Sequence, residues 1–287
     1  MPTLALATHD VEVPVTPGWR AQLQLGFARE PQRTVLAQRS HSGPLRVQKA
    51  LYPEGPEVCQ VIVVHPPGGI AGGDLLEIAI AAGPGARVQI TTPGAAKWYR
   101  GAGSRAQAST RIAAAPGSSV EWLPQEAILF DGARVSSATR IDLAGDAVFV
   151  GWDIMSLGRT AAGECFTTGE LRQALELARD GRLLWCERAL LDGGSPALQS
   201  GAVLAGFPVF GTMVIAAGRL DDAALANCRD CTAAQGESGI TRLPGVTVAR
   251  YRGASTAAAR TYFASLWNVL RPIVLGRAAV PPRIWST

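Results

Sequence analysis

A degenerate repeat of strand, glycine turn and strand constrains this chain more than any other feature. Residues 75–92 read LLEIAIAA, GPG, ARVQITT. Residues 110–123 place a Pro116-Gly117 turn before SSVEWL, and residues 139–154 place Gly145-Asp146 between TRIDL and AVFVGWDI. Residues 171–190 place Asp180-Gly181 between LRQALELA and RLLWCERAL. The turn glycines Gly85, Gly117, Gly145 and Gly181 recur about every thirty residues, a period found in repeat architectures. Apolar and polar residues alternate in Arg87-Val88-Gln89-Ile90 and Arg140-Ile141-Asp142-Leu143, which turns one face of each strand inward. A unit of this size cannot bury its apolar face alone, so its neighbours must cover it. The repeat predicts a mainly β fold, an elongated stack of hairpins, helical or sandwich-like, over about residues 19–218. Residues 33–40 and 45–51 fit as an entry hairpin turned at Ser42-Gly43-Pro44.

Two helices are expected after this body, within about residues 220–275. Asp221 or Asp222 can cap a short one over residues 223–231. Ser255 or Thr256 can open a longer one. Its Phe263, Leu266, Leu270 and Val274 recur at three- and four-residue steps, an apolar stripe suited to packing on the sheet. Pro272 should kink or end it. Trp285 suggests that the tail, residues 277–287, is docked. The whole of residues 1–287 reads as one domain.

The segment HPPGGIAGGD, residues 65–74, lies between apolar runs and delivers the carboxylate of Asp74 to the start of a strand. Glycine permits positive φ and close backbone approach, and proline fixes φ, so this is a tightly built loop. It is not a phosphate loop, since no Gly-Lys-Ser/Thr follows it. Residues 193–218 carry no charge and are long enough to span a membrane. Their glycines and Pro208 fit two short buried strands better, with a break near residues 206–208. The N-terminus has no basic region before its short apolar stretch, so no signal peptide is read.

With 47% hydrophobic and 17% charged residues the chain can bury a large core. The net charge of +4 is spread out, which argues against nucleic acid. Five cysteines, an odd number, suit reduced thiols and a cytoplasmic location better than a disulfide framework.

Nucleophilic catalysis needs a nucleophile and a base within reach. The histidines are His9, His41 and His65, and there is no Gly-x-Ser-x-Gly elbow. Cys228-x-x-Cys231 supplies two of the four ligands of a structural zinc site and lacks the βαβ context of a redox motif. These cysteines read as incidental thiols on a helix face. An enzyme built on Cys228, Cys231 and His65 would need the three to converge in one pocket. Acids beside large apolar residues are more suggestive: Asp74, Glu126, Asp153 and Glu187. Lys97, Arg100, Arg159 and Arg188 could pair with them as strand-end ion pairs, because buried carboxylates need partners. The alternative is a polar channel for a cation. Carboxylates are weak, labile ligands for nickel-type ions compared with His or Cys, so a chain with three scattered histidines does not read as a high-affinity metal store but could pass a metal along.

Five blocks in order, HPPGGIAGGD, TTPGAAKWYR, EWLPQEAILFDGA, GWDIMSLGR and PPRIWST, resemble the UreD (UreH) family of urease accessory proteins over about residues 18–287. The resemblance implies a long β-helical body with a small helical element and a non-enzymatic role. It implies a scaffold that binds UreF, recruits the GTPase UreG through UreF, contacts apo-urease, and lets Ni2+ cross transiently by an internal tunnel. No tightly bound cofactor, membrane or nucleic acid is expected. By the family pattern Asp74, Asp153 and Glu187 are candidate tunnel acids and Arg159 accompanies them. Lys97 and Glu126 lie in matching blocks with roles that are structural or functional. The Cys228-x-x-Cys231 pair departs from the family pattern. An interaction scaffold with no metal path is the remaining alternative.

Overall fold

The computed structural model describes residues 18–101, 103–218 and 220–286. Of the expectations above, His9, the N-terminal segment and Thr287 lie outside the described residues. The strands are β1 (Arg20–Arg29), β2 (Thr34–Ser42), β3 (Arg46–Val47), β4 (Val58–Val64), β5 (Leu75–Ala82) and β6 (Arg87–Thr91). They continue with β7 (Ala96–Trp98), β8 (Ala106–Ala114), β9 (Ser119–Leu123), β10 (Ala127–Leu129), β11 (Arg134–Leu143) and β12 (Val148–Leu157). The last are β13 (Glu170–Arg179), β14 (Arg182–Asp192), β15 (Val209–Ala216), β16 (Glu237–Leu243) and β17 (Val246–Gly253). The helices are α1 (Asp222–Asp230) and α2 (Thr256–Leu275).

The fold is mainly β, a solenoid-like stack with a C-terminal helix. Two sheets face each other. The first runs β14-β13-β11-β8-β5-β1-β2, and the second has the main path β16-β17-β15-β12-β9-β6-β4-β3. The repeat is real, but its units are not all hairpins. β5 and β6 lie in different sheets, as do β8 and β9, and β11 and β12. Each strand pairs in parallel with its counterpart in the neighbouring repeat: β5 with β8, β8 with β11, β6 with β9, β9 with β12. The glycine turns are therefore corners of a coil. Only β13 and β14, joined at Asp180-Gly181, form the expected antiparallel hairpin. Turn chemistry is alike in a hairpin and a corner. What separates them is burial: VCQVIVV of β4 and VFVGWDIMSL of β12 are covered on both faces, the pattern of strands within a covered parallel sheet.

The corners lock to one another. Pro84-Gly85 and Pro116-Gly117 occupy the centre of their turns, with Gly85 at φ 68° and Gly117 at φ 69°, as a type II turn requires. Gly85 N–H donates to the Pro116 carbonyl at 3.1 Å. Gly117 N–H donates to Asp146 Oδ1 at 2.7 Å and Gly145 N–H to Asp180 Oδ1 at 2.9 Å. One edge of the coil is thus a ladder of tight turns. The opposite edge carries the long loops, 65–74 among them.

Two further expectations change. β2 pairs with β1, and β3 pairs with β4, so the turn at Gly43 crosses between sheets and the proposed entry hairpin does not exist. A side chain at Gly43 would meet the Arg20 carbonyl. In residues 193–218 only β15 is a strand; residues 196–199 form a short 3-10 helix and turns follow. The glycine-rich first half holds too few β-branched residues to make a strand.

One core lies between the sheets, and a second lies between the outer face of the second sheet and the helices. Asp221 caps α1 by accepting from Ala224 N–H at 2.7 Å. Ser255 caps α2. Phe263, Leu266 and Leu270 are fully buried. Pro272 does not end α2, which runs to Leu275 and closes at Gly276 with φ 66°; so near the terminus the ring removes little of the hydrogen-bond ladder. The tail is docked as expected. The Trp285 ring centroid lies 5.9 Å from that of Trp152 and 6.1 Å from that of Trp267, and its indole N–H donates to Thr91 Oγ1 at 2.8 Å. Arg271, fully buried on α2, pairs through two edges of its guanidinium with Glu121 and Glu54. This pins the helix to β9. No helix of the described residues is long and apolar enough to cross a membrane.

Candidate functional site

A cavity of about 430 Å3 opens between the two sheets toward the long-loop edge. Ile78 of β5, Thr110 of β8 and Thr139 of β11 line it from the first sheet, and Trp122, Asp153 and Met155 from the second. At the loop end His65, Gly69 and Lys97 complete it. Its walls are mostly apolar, so the carboxylate of Asp153 stands out.

Strand alternation explains where Asp153 points. Its neighbours Trp152 and Ile154 face the helix-side core, so Asp153 faces the first sheet. It makes no hydrogen bond or ion pair with a described residue. Burial pushes its carboxyl up to about 7, and the nearby charge of Glu187 adds to the shift. Across the sheet Asp153 is opposite Thr212 of β15, which is opposite Arg250 of β17. Glu187 of β14 reaches this row from the other sheet. Its Oε1 accepts from Arg250 Nη1 at 2.9 Å and from Thr212 Oγ1 at 3.3 Å, while Oε2 is buried and unpartnered. Arg250 also lies 5.6 Å over the Trp185 ring. Asp153 and Glu187 are therefore brought together through a polar row that leads from the cavity to the exposed Arg250.

The other candidates are placed elsewhere. Asp74 does not line the cavity. Its Oδ1 accepts from Trp19 N–H at 2.7 Å and its Oδ2 from Ala71 N–H at 2.8 Å, so it clamps its own loop to the start of β1. Glu126 accepts from Thr256 Oγ1 at 3.3 Å and lies 3.5 Å from Arg260, tying the loop before β10 to α2. Arg159 pairs with Glu164 at 2.9 Å and lies 4.6 Å over Phe130. The partners expected for the acids are engaged with others: Arg100 with Asp131 and Arg188 with Glu176. Arg250 and Arg260 take their place because side chains meet across sheets, as Arg250 does, or between a loop and a helix, as Arg260 does, which sequence neighbourhood does not record. Thr212 and Arg250 were missed for the same reason, and no local signal marks them.

The cysteines do not converge with His65. Cys228 lies in the helix-side core, on the other side of the second sheet from the cavity, and burial pushes its thiol up to about 11. The thiol of Cys231, half-buried at the end of α1, makes only a long contact to the Asn227 carbonyl among the described residues. Such thiols stay protonated and unreactive at neutral pH. Among the described residues no three His, Cys, Asp or Glu side chains come together as a metal cluster.

The profile of the UreD urease accessory protein family matches residues 20–286. The chain is 52% identical over 271 residues to the urease accessory protein UreD of Azoarcus sp. (strain BH72), covering 94% of this chain and 95% of the relative. It is 52% identical over 269 residues to UreD of Nitrosococcus oceani, covering 94% and 90%. It is 51% identical over 276 residues to UreD of Dechloromonas aromatica, covering 95% and 96%. With the match running through both sheets, the cavity and the docked tail, the chain belongs to the UreD family of urease accessory proteins.

Proposed function

We propose that this chain is a urease maturation factor, not an enzyme, that works in the cytoplasm with UreF, UreG and apo-urease to insert nickel. The observation that carries the reading is the unpartnered Asp153 carboxylate in an internal cavity, next to the Thr212–Glu187–Arg250 row. Native proteins rarely leave a buried polar group unsatisfied without a use for it. Here nickel is cargo. A hydrated divalent ion passing Asp153 would exchange some water for a carboxylate oxygen. One or two such contacts bind weakly and release readily, whereas a full ligand set would trap the ion. Glu187, with one oxygen held by Arg250 and Thr212 and the other buried without a partner among the described residues, is the next contact. Arg159, Lys97 and Glu126 shape the loop edge around this path, and Asp74 fixes the loop that frames its mouth.

A host lacking the gene tests this reading. Abundant urease with little nickel, restored by this chain, is the expected result. Normal nickel loading in that host overturns it. If instead Asp153→Asn and Glu187→Gln leave nickel loading intact in a chain whose presence is required, the protein is a scaffold without a metal path.

A further inference from the structure

The cavity between the sheets is chemically lopsided. Its walls are mostly apolar, and among the described residues Asp153 is the only acid that lines it. That carboxyl makes no hydrogen bond or ion pair with a described residue. The lining ammonium of Lys97 is exposed at the loop end, where water and salt screen it. Strand register sets an aromatic ring beside the acid. Trp122 of β9 is opposite Gly151 of β12, and Asp153, two residues on, shares the face of Gly151. One strand step across and two residues along put the backbones of Trp122 and Asp153 about 8 Å apart. On the facing sheet Ile78, Thr110 and Thr139 form one row across β5, β8 and β11. The volume of about 430 Å3 lies in the range of sites that hold small organic molecules.

We propose that this cavity is a binding site for a small organic ammonium ion with an apolar body, such as an arylalkylamine, its charged head held between the Asp153 carboxylate and the Trp122 ring. The lining selects this class. One carboxylate balances one charge, whereas a divalent ion held in place needs a set of ligands that these walls do not supply. Asp153 repels an anion, and a neutral molecule leaves its charge unmatched. An indole face attracts an ammonium group. The hydroxyl oxygens of Thr110 and Thr139 can accept further N–H groups from across the gap. Ile78 and Met155 cover the apolar body, whose removal from water adds to the affinity. Burial raises the Asp153 carboxyl, and an ammonium beside it restores the charged form. A hydrated metal ion passing Asp153 keeps most of its water and moves on. An ammonium with an apolar tail stays, and while bound it closes the path proposed above.

The binding claim stands on the cavity alone; only the closing of the path rests on the reading above. The full chain is titrated by calorimetry at pH 8 with 2-phenylethylammonium chloride and with 2-phenylethanol, a neutral molecule of the same shape. The wild type should bind the amine about tenfold more tightly than the alcohol, or better. Asp153→Asn should lose that preference while its affinity for the alcohol is unchanged. The Met155 methyl signal, one of three methionine methyls in the chain, should shift in the NMR spectrum as the amine is added. Equal affinity of the wild type for amine and alcohol overturns the proposal, as does a preference that survives Asp153→Asn. So does a Met155 signal that stays in place at saturating amine, which decides the case on the wild type if the variant misfolds. Full nickel loading of urease by the chain with Asp153→Asn and Glu187→Gln would remove the metal path and leave the amine site standing. Failure to bind the amine would remove the site and leave the path.

Discussion

Replacing Asp153 by Asn should stabilise this protein at alkaline pH and impair what it does. The carboxyl is raised from 3.8 to about 7, roughly three pH units at about 1.4 kcal/mol each, or about 4 kcal/mol at most. Water in the cavity solvates part of the charge, so about 2 kcal/mol is the working magnitude. The sign follows from proton linkage. Below pH 4 the group is protonated in both the folded and the unfolded chain and has no effect. Between pH 4 and 7 the unfolded chain gives up the proton and the folded chain keeps it, so stability falls as pH rises. Above pH 7 the full cost of the buried charge is present. Asn resembles the neutral acid and does not ionise. Urea unfolding of the two proteins at pH 4, 5, 6, 7 and 8 should show equal stability at the acid end and an advantage of about 2 kcal/mol for Asn at pH 8. A difference that does not vary with pH, or an Asn variant weaker at pH 8, would refute the reasoning. Either result would mean that the carboxylate is well paired or fully hydrated.

Other predictions concern the frame around the site. Arg271→Met leaves Glu121 and Glu54 buried without their counter-charge and should cost about 3–5 kcal/mol in urea unfolding. Trp285→Ala removes the ring between Trp152 and Trp267; since the residue is half-buried, about 2 kcal/mol is expected, read as a lower denaturation midpoint. Cys228→Ser with Cys231→Ser should leave nickel loading of urease unchanged, and a loss of loading without loss of folded protein would give the thiols a role.

The repeat, the helices and the docked tail were legible because each rests on local chemistry. Gly117 after Pro116 specifies a turn, and Asp221 and Ser255 specify helix starts. Whether a turn leads back along the same sheet or across to another is not local. Gly85 and Gly181 look alike in sequence, yet one makes a corner and the other a hairpin. Partner choice was obscure for the same reason. Glu187 is next to Arg188 in the chain, but neighbours on a strand point to opposite faces, and its cation is Arg250. Asp153 was readable as an acid in an apolar strand. That Asp74 clamps its loop, whereas Asp153 has no partner among the described residues, emerges only when the backbone donors around each are located.

The central claim is that a metal path runs past Asp153 and Glu187. Urease matured in cells carrying the chain with Asp153→Asn and Glu187→Gln, purified and assayed for nickel per active site, tests it most directly. The account predicts little nickel in urease although the variant chain is folded and still recovered with its partners. Full nickel loading by that variant would contradict it.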